Sequence, residues 1–257
     1  MTKTFLSLIT ITHNDPGIKA TIDSVQSQKF SGFEIEHIIV DNLSSDMTPY
    51  IVKEYKKQAR YPVTYIREKD NGRYHAMNKG IKIAKGEYLL FLNALDTLAS
   101  TKVLSQINLH HLNSDLAYGD IINHSLKNFK INPQFFLDRT LFHQATFIKK
   151  SLFDKIGPYD QKLIIASDFD FFIKAVVKNN ATTQYLPLVI TNYDQNGISS
   201  QQSDLLYAER AQVLARYFSG TTYLKNILKY FYYRHKSHFP QWFIKIQQQR
   251  LNNQPKI

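Results

Sequence analysis

Residues 85–96, KGEYLLFLNALD, constrain the fold more than any other stretch of the chain. Within them, 88–92 form an unbroken apolar run bounded by Gly86 and Asn93. Such a run is the pattern of a central strand buried on both faces of a sheet. It stops on Asn93 and Asp96. In open parallel α/β sheets ligands bind beyond the carboxyl ends of the strands, which puts Asp96 where a metal or a charged substrate would meet it. Asx residues also make turns and cap helices, and this stretch alone leaves both readings open.

Strand-like and helix-like segments alternate on either side of that run. Residues 5–11 (FLSLITI) predict a first strand that ends on Thr12, His13 and Asn14 before a turn at Pro16 and Gly17, and Ile18, Ile22 and Val25 follow at helical spacing. Residues 34–40 (EIEHIIV) predict a second strand leaving on Asp41 and Asn42, 47–59 a helix, and 63–66 a third strand with Asp70 in the turn after it. Met77, Ile81 and Ala84 give the next helix an apolar face, with Gly86 as its end. This alternation predicts a parallel, doubly wound α/β sheet over residues 1 to about 125. Parallel strands present their carboxyl ends on one side, so Asp41, Asp70 and Asp96 would line one rim. Three acids there suggest a nucleotide or metal site, although loops are rich in Asp for turn reasons too. Arg73, opening the helix in DNGRYHAMNKG, is a candidate for positive charge near a diphosphate, against the commoner solvated arginine at a helix start.

Beyond Ser100 the pattern predicts a helix, a strand at 116–122, an irregular aromatic segment around Phe135 and Phe136, a strand at 143–148 and a short helix at 151–156 that breaks at Gly157 and Pro158. Ser167 reads as the N-cap of a helix whose apolar face runs through Phe172, Ala175 and Val176, with Asp168 and Asp170 in its first turn. An acid at that position is expected from capping and the helix dipole. It is also held ionised, as a general base must be.

The length, 257 residues, suits one α/β core with an appendage. The absence of Cys excludes disulfides, thiolate metal sites and Cys nucleophiles. No apolar run reaches the roughly 18 residues of a membrane span, and the first residues lack the apolar core of a signal peptide, so a cytoplasmic protein, soluble or peripheral, is expected. Nine of the positive charges lie after Glu209 with no acid among them, which leaves +2 of the formal +11 for the preceding residues. A near-neutral body with a basic tail argues against a nucleic-acid partner. The division expected is a catalytic unit over 1–210, nucleotide-binding to about 125 and acceptor-facing over 126–210, then a basic, aromatic, helical tail over 211–257. In the tail, Tyr223, Leu224, Ile227, Leu228 and Phe231 recur at helical spacing beside Lys225, Lys229 and Lys236, and Trp242 and Phe243 follow Pro240. That suits an anionic membrane surface, or equally a helix packed on the body.

Taken in order, LSLITITHN, HIIVDNLSSDMT, DNGRYHAMNKGIKIAKGEYLLFLNALD, HQATFIKKSLFDKIGPYD and ASDFDFFIKAV resemble the inverting glycosyltransferases of family 2, over roughly residues 4–200. The resemblance implies a GT-A fold, Rossmann-like, and transfer of a sugar from a nucleotide sugar, a UDP-sugar by expectation, to a hydroxyl of a glycan or lipid-linked acceptor in bacterial surface polysaccharide (O-antigen or capsule) synthesis. By the same resemblance Asp41 and Asp70 contact uracil and ribose with Thr12, His13 and Asn14 beside them. Asn93 to Asp96 form the metal motif, with Asp96 binding Mg²⁺ or Mn²⁺; His143 and Gln144 face the acceptor, and Asp168 is the catalytic base. It also implies attachment of the tail to the inner face of the cell membrane; an oligomer is compatible with the sequence. Two departures are Leu95 inside the metal motif and Leu43 where relatives carry Gly. A sugar-nucleotide pyrophosphorylase would instead want a Gly-rich, Arg-bearing loop after the first strand, and THNDPGIK is not one. A non-enzymatic nucleic-acid-binding module is the alternative from another class.

Overall fold

A computed structural model describes residues 4–107, 112–194 and 202–220 of the chain. Strands β1 (Thr4–Thr12), β2 (Glu34–Asp41), β3 (Val63–Arg67) and β4 (Tyr88–Phe91) alternate with helices α1 (Ile18–Gln26), α2 (Thr48–Gln58) and α3 (Arg73–Ile83). Then come β5 (Thr97–Leu98), the single turns α4 (Val103–Gln106) and α5 (Phe135–Asp138) on either side of β6 (Leu116–Ile121), β7 (Thr146–Lys149), α6 (Lys150–Ile156), α7 (Ser167–Ile173), β8 (Thr183–Asn192) and α8 (Ser203–Tyr217). One sheet holds all eight strands in the order β3-β2-β1-β4-β7-β6-β8-β5. β7 is antiparallel to both β4 and β6, and β5 is antiparallel to β8, so six strands share one direction and the sheet is mostly parallel, as the alternation predicts.

β4 sits at the middle, and Tyr88, Leu89, Leu90, Phe91 and Leu92 are all 0 % exposed. Its side chains divide by alternation: Tyr88, Leu90 and Leu92 join the core beneath α1 and α2, while Leu89 and Phe91 join the core that holds α3, α6 and α7. Full burial of each such side chain contributes about 2 kcal/mol, which makes this strand the anchor of both layers.

Gly86 does not end α3. The helix stops at Ile83, and Gly86 lies against β1, where a Cβ would stand 2.4 Å from the Ser7 backbone nitrogen. Its N–H donates to Ser7 Oγ at 2.8 Å, and Ser7 Oγ donates in turn to Glu36 Oε1 at 2.7 Å, tying β4 to β1 and β2. Residues 143–148 are not one strand either. His143–Ala145 form a 3₁₀ turn, closed by Ala145 N–H and Thr146 Oγ1 donating to the Phe142 carbonyl at 2.9 and 2.7 Å. The turn lifts His143 and Gln144 off the sheet, and β7 begins only at Thr146.

α8 continues past residue 210 to Tyr217 with Val213 and Leu214 buried. The basic tail residues from Lys225 onward lie outside the described residues.

Candidate active site

The rim carries two groups of the expected residues. In the first, Asp41 at the end of β2 is 0 % exposed. Its Oδ1 accepts from Ser44 N–H at 2.9 Å and Ser44 Oγ at 2.5 Å, its Oδ2 accepts from Tyr65 OH at 2.5 Å, and Arg67 Nε stands 3.6 Å away. Asn14, in the left-handed region at φ 47, accepts from Ser45 N–H through its side chain and donates its own N–H to Ser44 Oγ. His13 Nδ1 lies 2.7 Å from the Asn42 carbonyl, and Thr12 Oγ1 is buried with no hydrogen-bond partner. Asp70 pairs with Lys79 at 2.6 Å. Leu43, at φ 55 and 46 % exposed, keeps the backbone shape a glycine would adopt freely.

The second group surrounds a cavity of about 470 Å³ that brings together Arg73, Asn93, Asp96, His143, Gln144 and Asp168. Thr12, His13, Asn14, Asp41 and Asp70 do not line it. Asp96 is held by the Asp194 N–H on Oδ1 at 3.0 Å and the Asn93 N–H on Oδ2 at 3.2 Å. Burial raises its pKa above the usual carboxylate value, against the lowering effects of Asp194 N–H, His143 and Gln144. Leu95, at φ 74, covers Gly17 so closely that a Cβ there would come within 2.1 Å of Leu95 Cδ2.

Asp168, which also lines the cavity, is the hub of a small network. Its Oδ2 accepts from His143 Nδ1 at 2.9 Å; its Oδ1 accepts from Phe169 N–H at 2.9 Å and Tyr74 OH at 3.1 Å. Asn93 Nδ2 donates to His143 Nε2 at 3.1 Å, which leaves the imidazole proton on Nδ1, facing Asp168. Burial pushes the Asp168 carboxyl up, but the hydrogen bond from His143, with those from Phe169 N–H and Tyr74, outweighs it and holds the pKa below the ordinary value. Ser167 is not the N-cap of α7. Ala166 takes that position, no side chain caps the helix, and Ser167 Oγ is buried without a partner. Asp170 points elsewhere, binding Arg216 Nη1 at 3.0 Å and Tyr217 OH at 3.1 Å.

Sequence reasoning missed the supports of this wall. Glu209, buried in α8, accepts from the backbone N–H groups of Ile164, Ile165 and Ala166 at 2.7, 2.8 and 2.9 Å and so fixes the loop that leads into Asp168. Arg210, Tyr74 and Asp194 line the cavity. The local signal for α8 is the helix-favouring run SDLLYAERAQVLARY, with Asp204 in its first turn and Arg216 in its last.

The mostly parallel sheet is a GT-A-like architecture, and solved glycosyltransferases share the fold. TarS 1-349 from S. aureus in complex with UDP-GlcNAc superimposes with a TM-score of 0.65 at 21 % identity, over 91 % of this chain and 73 % of that one. A mannosyltransferase from Pyrobaculum calidifontis in complex with GDP-Man and Mn²⁺ gives 0.67 at 17 % identity, over 91 % and 70 %. The chain spans 43 % of a longer TarS chain. Residues 7–168 match the model of Glycosyl transferase family 2, and the chain belongs to that family. A PGL/p-HBAD biosynthesis glycosyltransferase of Mycobacterium tuberculosis is 34 % identical over 208 residues, covering 77 % of this chain and 80 % of the relative. A glycosyltransferase of Methanocaldococcus jannaschii is 27 % identical over 196 residues, covering 70 % and 67 %.

Proposed function

We propose that this glycosyltransferase moves a sugar, with inversion, from a UDP-sugar to a hydroxyl of a glycan or lipid-linked saccharide in surface glycan or glycolipid synthesis. The observation that carries the reading is the single cavity lined by both Asp96, beyond the end of the central strand, and Asp168 at the start of α7, with Asn93 and His143 linking the two. Asp168 is the base. Its depressed pKa keeps it ionised at neutral pH, and His143 and Tyr74 fix both oxygens in place while it takes the proton of the attacking hydroxyl. One displacement assisted by one base inverts the anomeric centre.

The donor set at Asn93 and Asp96 fits a hard divalent cation. Asn93 Oδ1 is buried with no partner and the Asp96 carboxylate is beside it, both oxygen donors of the kind Mg²⁺ and Mn²⁺ prefer. Among the described residues no group of three or more His, Cys, Asp or Glu could hold a metal alone, so the diphosphate would supply the remaining ligands. A bound cation would offset the charge that builds on the leaving phosphate. Arg73 adds to that positive charge from the N-terminus of α3. Asp41 serves the nucleotide by anchoring the loop 42–45, and Asp70 serves it from the turn after β3. The fold neighbours with UDP-GlcNAc and with GDP-Man support a nucleotide-sugar donor, and the PGL/p-HBAD biosynthesis relative supports a role in glycan or glycolipid synthesis.

Among the described residues no helix is long and apolar enough to cross a membrane. We propose that the basic aromatic tail attaches the enzyme to an anionic bilayer, where each Lys or Arg contributes about 1 kcal/mol. Release of UDP from a panel of UDP-sugars, with and without Mn²⁺, tests the reaction; metal-stimulated turnover supports it, and no turnover with any nucleotide sugar refutes it. Flotation with anionic liposomes, lost on truncation after Gly220, tests the tail.

A further inference from the structure

α8 lies beyond the residues that match the family model, yet it supplies part of the cavity wall. The helix is fixed at several points. Glu209 accepts three backbone N–H groups, Arg216 bridges Asp160 and Asp170 at 3.1 and 3.0 Å, and Val213 and Leu214 are buried. Arg210 therefore has a firm root. Its guanidinium lies 4.4 Å from the Phe169 ring centroid, and its Nη2 donates to the Arg139 carbonyl at 3.1 Å. A guanidinium carries five N–H donors in a planar fork, and that carbonyl is the acceptor the structure gives it among the described residues. No carboxylate among the described residues comes within ion-pair distance of it. Burial lowers its pKa, while Asp168, Tyr207 and Asp138 act on it only through longer-range charge.

We propose that Arg210 forms a subsite for an anionic group, a phosphate or a carboxylate, that the acceptor carries near the hydroxyl to be glycosylated. The placement favours the acceptor over the donor. Arg210 rests on Phe169, the residue after Asp168, and on Arg139, which precedes the wall formed by 140–144; Arg73 stands instead at the exit of the parallel strands. An anion brought near the Asp168 carboxylate would be repelled without a cation, and a planar fork binds phosphate or carboxylate through two parallel hydrogen bonds. The inference rests on the acceptor role given to this wall above.

Calorimetry on the full chain with glucose 6-phosphate, glucuronate and glucose tests it without turnover. The wild type should bind one of the two anionic sugars more tightly than glucose, and which of them identifies phosphate or carboxylate as the group. R210Q should weaken that binding by about 10- to 100-fold, as expected for loss of charged hydrogen bonds. R210K, which keeps the charge and the packing stem, should recover part of it. R73Q should have the smaller effect. Equal affinity of the wild type for all three sugars, equal weakening of glucose and the anionic sugar by R210Q, or a larger loss in R73Q overturns the proposal. An enzyme that turns over UDP-sugars without an Arg210-dependent preference loses this subsite alone; one that shows the preference but no turnover loses the catalytic reading alone.

Discussion

Asp41 and Asp168 are both acids at the ends of secondary-structure elements, both fully hydrogen-bonded, and they are held differently. Asp41 has no exposed surface, and its partners Ser44, Tyr65 and Arg67 all belong to its own half of the sheet. Asp168 keeps 18 % of its side chain exposed to a cavity, and its partners come from two distant segments, His143 and Tyr74. The first arrangement fixes a loop; the second fixes the carboxylate proposed as the base and leaves it accessible. Saturated hydrogen bonding alone therefore does not separate a structural acid from a chemical one. The difference lies in whether the partners surround the carboxylate or stand behind it.

The sharpest way to break this comparison is Asp168→Asn. An amide cannot take the hydroxyl proton, so transfer should fall by about 10²- to 10⁴-fold while circular dichroism and donor binding stay as in the wild type. Near-normal turnover would make Asp168 a second structural acid like Asp41, and Asp170, tied to Arg216, could not replace it. Asp96→Ala should remove the stimulation of UDP release by Mn²⁺, a loss of about 100-fold or more, whereas Asn93→Ala costs less because a neutral oxygen is the weaker ligand. Equal tolerance of the two changes would remove the metal from this wall.

Asp41→Ala should show the opposite profile. It leaves Tyr65 OH and Ser44 N–H unpaired in the interior and should lower unfolding stability by about 2–4 kcal/mol in urea titrations, with a smaller effect on the rate constant of transfer measured below the melting range. A stability unchanged from wild type would mean that Asp41 is not the loop's anchor. The mildest effect concerns pH. Because the folded pKa of Asp168 is depressed, the stability its partners contribute is complete above the unfolded carboxylate value and is lost only as pH falls through the lower folded value. His143→Ala removes the largest lowering contribution and leaves burial to push upward, so the acid limb of the transfer rate should move to higher pH. A limb that stays in place would show that His143 does not hold the Asp168 charge.

Local pattern made half of this molecule legible. The run at 88–92 announced a strand buried on both faces because it is apolar without a break, and its residues do alternate between two cores; the acids at strand exits followed from parallel topology. What stayed hidden depends on contacts across long stretches of chain. Asp96 is held by an N–H 98 residues away, Asp168 by a hydroxyl 94 away, and the loop before α7 by Glu209, 43 to 45 residues on. Ser167 looked like a cap because Ser before an apolar helical face usually is one. The structure starts the helix one residue earlier, and the first-turn N–H of Phe169 donates to Asp168 Oδ1 rather than to Ser167. His143 looked like part of a strand because β-prone residues follow it, while a hydroxyl at Thr146 closed the turn that redirects it.

The cradle that Glu209 makes for three amides also bears on the order of synthesis. A chain growing from its N-terminus presents the whole parallel half, and even Asp168 itself, about 40 residues before the carboxylate that sets the Asp168 loop exists. The nascent protein can thus bury its central strand early yet align Asp168, the proposed base, only once α8 has been translated and docked. Competence for chemistry is in this way a late event in the life of the molecule, separated in time from the collapse of its core.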